Sequence, residues 1–159
     1  LLEGGVDGII FETMTSIEEI TLGIRTAKQI TDKAVIGSMV FDKGPRGLFT
    51  MMGITPEKAA KDLISSGADV VASNCGNGSE IMTEVAYELR RFSENPIMIQ
   101  SNAGIPEIIN GKIVYNEKPK FMANNYKKMI DLGVNILGGC CGTDKHHIKD
   151  FRKVIDSYN

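Results

Sequence analysis

Three short segments, Gly5-Val6-Asp7, Gly67-Ala68-Asp69 and Gly133-Val134-Asn135, each introduce an apolar run, at intervals of 62 and 66 residues. One strand-plus-helix unit fills about half such an interval, so the repeat marks every second strand of a regular alternation. The apolar runs read as strands over Val6–Phe11, Ala34–Val40, Asp69–Ser73 and Pro96–Gln100, with a fifth through Val134, Ile136 and Leu137. Helical spacing fills the gaps. Ser16-Ile17-Glu18-Glu19 has the form of a capping box, followed by Ile17, Ile20, Ile24 and Ala27 on one face. Thr55-Pro56 supplies an N-cap and a first-turn proline, and Gly67 a stop. Ser79 is the expected cap of a helix with Ile81, Met82, Val85, Ala86 and Leu89 inward. A fourth helix runs from about Pro119 to Leu132, and a fifth carries Ile148, Phe151, Ile155 and Tyr158 on one face. Long loops are expected over Phe41–Ile54 and around Pro106 and Asn110-Gly111.

Strictly alternating strands and helices imply a parallel sheet with right-handed crossovers. In a (β/α)8 barrel, alternate strands share a layer of side chains, and functional residues gather at the C-terminal ends of the strands. Counted from the three leading glycines, Glu12 and Cys140 fall at offset seven, and Cys75 and Cys141 at offset eight. Glu12 and all three cysteines are therefore expected on one rim. Eight units need about 250 residues, and five are present. The expectation is an α/β chain forming the C-terminal five βα units of a TIM-type barrel, residues 1–159 being one partial domain. An open doubly wound sheet is the alternative.

The cysteines narrow the chemistry. Cys140 and Cys141 are adjacent inside Gly138-Gly139-Cys140-Cys141-Gly142-Thr143, and Cys75 ends the run Ala72-Ser73-Asn74. Glycine accepts left-handed backbone, so the turn can aim two neighbouring sulfurs at one point. Three thiolates converging describe a zinc site with one position open. Two other readings stand beside it: a non-catalytic zinc or thiol-redox module in which Cys140 and Cys141 cycle as a disulfide, or buried thiols serving as small apolar groups.

Composition excludes other classes. A net charge of -2 with 42% hydrophobic residues and no basic stripe argues against nucleic acid. No apolar stretch reaches the length of a membrane span. Three cysteines without a signal segment suggest a reducing cytoplasm.

The Gly138–Thr143 turn, the Asn74-Cys75 and Phe11-Glu12-Thr13 strand ends and the Ser101-Asn102-Ala103-Gly104 segment together resemble the homocysteine S-methyltransferase family. The spacing of 65 residues from Cys75 to Cys140 is similar to that in the homocysteine-binding barrel of cobalamin-dependent methionine synthases. The resemblance implies a zinc enzyme that transfers a methyl group to homocysteine. It places the metal on Cys75, Cys140 and Cys141, the amino end of homocysteine at Glu12, and Asn102 near the open coordination position. It further implies a methyl-donor module or cobalamin protein as partner, with methylcobalamin as donor. The family's first strands have no counterpart here, so the missing N-terminal part of the barrel is itself an expected partner. The chemistry suits the residues: a metal-bound thiol is deprotonated, and three thiolate ligands keep the site electron-rich.

Weaker features have bland readings. Arg46 reads as a solvated turn residue, His146 and His147 as a helix first turn with one ring packed and one exposed, and Met51-Met52 as core or loop packing.

Overall fold

A computed structural model describes residues Leu1–Tyr158. Strands β1 (Gly8–Met14), β2 (Ala34–Met39), β5 (Val70–Asn74), β6 (Ile97–Ser101) and β9 (Ile136–Gly139) form one parallel sheet in the order β1-β2-β5-β6-β9. Helices α1 (Ile17–Ile30), α2 (Pro56–Ser65), α3 (Ser79–Arg91), α4 (Pro119–Asp131) and α5 (Lys145–Asp156) alternate with them, each packed against the next. Two regions expected to be loops contain short antiparallel hairpins, β3 (Asp42–Gly44) with β4 (Gly47–Phe49) and β7 (Glu107–Ile109) with β8 (Lys112–Val114). The second turns through Asn110 and Gly111, both left-handed (φ 51° and 73°), which is the geometry an Asn-Gly hairpin favours.

The two faces of the sheet differ. Outward side chains such as Val35, Val71, Ile97 and Ile99 share one core with Ile20 and Ile24 of α1, Leu63 of α2, Val85 and Leu89 of α3, and Met122 and Tyr126 of α4. Removing each such side chain from water stabilises by about 1.5–3 kcal/mol. Inward side chains Ile36, Val70, Ala72 and Met98 form a separate small cluster containing no helix residue. Helices thus cover a single face. A doubly wound sheet would have them on both.

Helix starts follow local chemistry with one exception. Ser16 Oγ accepts from the Glu19 N–H, and Thr55 Oγ1 accepts from the Lys58 N–H. Ser79 does not cap α3. The N-cap is Gly78, and the Glu117 carboxylate accepts from both the Ser79 N–H and hydroxyl. A side chain from a distant loop brings full negative charge to the helix N-terminus, where a hydroxyl brings only a dipole. In α5 the inward face is rotated from the expected one. His147 and Phe151 are buried, whereas Ile148 and Tyr158 are 49% and 43% exposed. Met82, Met122 and Met129 are core residues, but Met51 and Met52 face solvent.

The recurring Gly-x-Asp/Asn segments have a physical function. At the foot of β5, the Asp69 N–H donates to the Val35 carbonyl (2.8 Å) while its carboxylate accepts from the Val35 N–H (2.7 Å). At the foot of β9, Asn135 grips both backbone groups of Ile97 in the same way, each at 2.9 Å. Each residue hooks the strand beside it and sets its register. Among the described residues no helix is long and apolar enough to cross a membrane.

Candidate metal centre

The C-terminal ends of β5 and β9, with β6 between them, carry the cysteines. Cys75 follows β5 in left-handed backbone (φ 62°), and a three-residue turn centred on Gly76 (φ 72°) closes with the Asn77 N–H on the Cys75 carbonyl (2.8 Å). This reversal swings the Cys75 side chain out of the strand's alternation. After β9, Cys140 to Thr143 forms a tight turn, with the Thr143 N–H and hydroxyl both donating to the Cys140 carbonyl (3.1 and 2.7 Å). Gly142 (φ 80°) is required there: a Cβ would stand 2.2 Å from the Tyr115 ring. The loop after β6 ties this turn down. The Cys140 N–H donates to the Ser101 carbonyl, the Cys141 N–H to Asn102 Oδ1, and the Ala103 N–H to the Cys141 carbonyl.

The three sulfurs lie within 4.8 Å of one another, with Cys140 Sγ and Cys141 Sγ 4.0 Å apart. None is in a disulfide. Sulfurs sharing a tetrahedral zinc at about 2.3 Å lie about 3.8 Å apart, so small side-chain rotations would seat the ion. Soft thiolates suit zinc and exclude magnesium or calcium. Burial, with Cys75 and Cys141 close by, pushes the Cys140 thiol up to about 11. Three adjacent thiolates need a cation to offset their repulsion.

Of the other expected residues, only Asn102 makes a hydrogen bond to the cysteine turn. Asn102 is buried, and its Oδ1 is engaged by the Cys141 amide. Glu12 is exposed near the end of β1, on the same rim. Arg46 is exposed, 5.8 Å over the Phe49 ring. His147 is buried and its ring is engaged by Asp144 and the Glu117 carbonyl, while His146 is exposed. Neither belongs to the cysteine cluster.

Two participants escaped sequence reasoning. Tyr115 packs its ring against Gly142 of the cysteine turn; burial and then Cys141 raise its pKa. Asn74 bonds Thr13, Ser38 and Cys140. Its place next to Cys75 was the only signal available.

Known proteins bear on this arrangement. The family model for homocysteine S-methyltransferase matches residues 1–155. The methionine synthase of Mycobacterium leprae (strain TN) is 24% identical over 173 residues, and that of Mycobacterium tuberculosis (strain ATCC 25618 / H37Rv) 26% over 169. These matches cover 100% and 98% of this chain but only 13% of each relative. Among solved structures, the apo form of the homocysteine methyltransferase MmuM from Escherichia coli superposes with a TM-score of 0.76 at 16% identity. It covers 96% of this chain and 51% of that one. A metallated form of the same protein gives 0.76 at 18% identity, with 96% and 46% covered. At such identities the likeness shows the fold alone: the α/β architecture of that enzyme, over about half its length. Convergent cysteines on the rim of that fold, with a family match over nearly every residue, lead to one conclusion: the chain belongs to the homocysteine S-methyltransferase family.

Proposed function

We propose that residues 1–159 are the C-terminal five βα units of a (β/α)8 barrel that holds zinc on Cys75, Cys140 and Cys141 and methylates the thiol of homocysteine to give methionine. The observation that carries this reading is the trio of free sulfurs within 4.8 Å at the C-terminal ends of alternate strands. Bound there, zinc would supply the Lewis acidity that keeps the substrate sulfur as thiolate at neutral pH.

The chain's own residues do the rest. Three cysteine thiolates keep the site rich in negative charge, so the substrate sulfur remains a good nucleophile. The Cys140–Thr143 turn, pinned by Ser101 and Asn102, keeps the backbone of two of those cysteines in place, so that only small side-chain rotations are needed. Glu12 receives the substrate ammonium, and Asn102 lines the open side. The substrate sulfur forms the new S–CH3 bond as the donor–methyl bond breaks, and the thiol proton leaves to solvent. The donor comes from a module outside these residues, in this reading a methyl group carried by cobalamin. The small share of the mycobacterial methionine synthases that this chain matches leaves room for such a module.

Two observations support the partial barrel. The concave face carries no helix. Asp7 occupies at the foot of β1 the place that Asp69 and Asn135 occupy at β5 and β9, yet no hydrogen bond to it is found among the described residues. A strand beside the free edge of β1 would supply its missing partner.

Metal analysis of the full-length protein carrying these residues tests the reading. The expected result is about one zinc per barrel, with Cys75→Ala, Cys140→Ala and Cys141→Ala each losing metal and turnover together. Metal-free protein with a reducible Cys140–Cys141 bond would replace this reading with the redox one.

A further inference from the structure

We propose that Asn74 is a positioning residue that couples the sulfur of Cys140 to the substrate-facing end of β1, an inference that rests on the zinc-dependent reading above. Asn74 is 1% exposed at the end of the central strand β5. An amide side chain offers two acceptor lone pairs and two N–H donors, and all four are used. Its Oδ1 accepts from the Thr13 N–H (2.8 Å) and the Ser38 hydroxyl (2.7 Å). Its Nδ2 donates to Thr13 Oγ1 (2.8 Å) and points its other hydrogen at Cys140 Sγ, 4.0 Å away.

The orientation of the amide follows from the partners. A backbone N–H can only donate, so the atom facing the Thr13 nitrogen must be oxygen. The nitrogen must then face Cys140. One side chain thereby links the ends of β1, β2 and β5 to the turn after β9, spanning the concave face from edge to edge.

Both ends of the link matter to the chemistry. Thr13 has left-handed backbone (φ 61°), which a β-branched residue rarely adopts. The two bonds from Asn74 hold it there. They fix the peptide between Glu12 and Thr13, and so the direction in which Glu12 leaves the strand. At the other end, an N–H directed at a thiolate draws charge from the sulfur and orients it, as groups behind metal ligands commonly do.

Three variants of the full-length protein separate these effects. Asn74→Asp keeps the acceptors and loses the donors. Hydrogen exchange at the Thr13 amide should stay within about threefold of the parent, while Co2+ affinity falls about 10–100-fold, the usual cost of losing a group behind a ligand. The sulfur-to-Co2+ charge-transfer band should move with it. Asn74→Ala loses both functions. Thr13 exchange should accelerate at least about tenfold, and the KM for homocysteine should rise about tenfold against less than about twofold for a simple alkyl thiol. Thr13→Val keeps the shape of the residue and removes one bond. It should raise the homocysteine KM alone, and it carries the test if Asn74→Ala does not fold.

Unchanged Thr13 exchange in Asn74→Ala, an equal rise in KM for both thiols, or an unmoved Co2+ band in Asn74→Asp would overturn the coupling. If the parent takes up no Co2+ through sulfur, the zinc reading fails and the coupling to the metal with it. The Thr13 exchange then still decides whether Asn74 clamps β1.

Discussion

Strands β1 and β9 occupy matching positions at the two edges of the sheet, each paired on one side only, yet their C-terminal ends are secured by different means. β9 is four residues long and ends in a dense set of bonds from neighbouring elements. The Tyr126 hydroxyl donates to the Gly138 carbonyl (2.6 Å) and meets the Ser101 N–H and hydroxyl, Asn102 grips the Cys141 amide, and α5 packs behind the strand. β1 is seven residues long and loses its regular register between Phe11 and Met14. Beyond Phe11 its end is held by Asn74 and by the Val40 N–H on the Met14 carbonyl (2.9 Å). The cysteine pair thus sits on a mount made rigid by several elements, whereas the end of β1 depends chiefly on Asn74. That division suits a site with a permanent ligand at one side and an exchanging substrate at the other.

The largest expected effect tests the rigid mount. Tyr126 is fully buried, its phenol pushed up to about 12 by burial, and it touches the Phe151 ring at 4.2 Å between centroids. Tyr126→Ala should cost about 3–5 kcal/mol in denaturant unfolding, whereas Ile10→Ala on β1 should cost under about 1 kcal/mol. Equal losses would erase the distinction between the two edges. Next, Glu12→Gln should leave metal content unchanged and weaken homocysteine binding by about 1.5–3 kcal/mol, the worth of a charge-assisted contact. Calorimetry with homocysteine and with a plain alkyl thiol distinguishes this from damage to the metal site. Gly142→Ala should destabilise by about 1–3 kcal/mol, because the new methyl group drives into Tyr115 at a left-handed position. Metal affinity should fall with it, since Cys141 is the preceding residue.

The smallest effect concerns pH. His147, opposed by burial and assisted by the backbone N–H groups of His147 and His146, holds Asp144 down at about 2. Its folded pKa lies below the ordinary carboxylate value of about 3.9. The capping contribution is therefore complete above that value and lost as pH falls toward 2. The gap in thermal midpoint between the parent and Asp144→Ala should narrow between about pH 4 and 2.

Much of this architecture is legible in the sequence because it depends on local or periodic signals. Ile20, Ile24 and Leu89 announce their helices by spacing, and all are fully buried. The offsets of Cys75, Cys140 and Cys141 from their leading glycines anticipate sulfurs on alternate strands. What escaped depends on distance along the chain. Glu117 caps α3 from 38 residues away, and Asn74 reaches Thr13 across 61 residues and Cys140 across 66. No local pattern encodes such pairs. The β7–β8 hairpin is different, for Asn110-Gly111 was a readable signal. Its three-residue strands are simply too short to show alternation.

The hooks at the feet of β5 and β9 carry one more consequence, which concerns tolerance. Asp69 stands six positions before Cys75, and Asn135 six before Cys141. Each hook therefore works as a gauge block that sets the register of its strand against its neighbour, and with it the level at which the cysteine emerges. A slip of one residue would shift a cysteine by about 3.3 Å and turn alternate side chains to the other face, more than a zinc coordination sphere can absorb. The precision of the cysteine cluster is thus set at the opposite end of the sheet, by two side chains that never approach it.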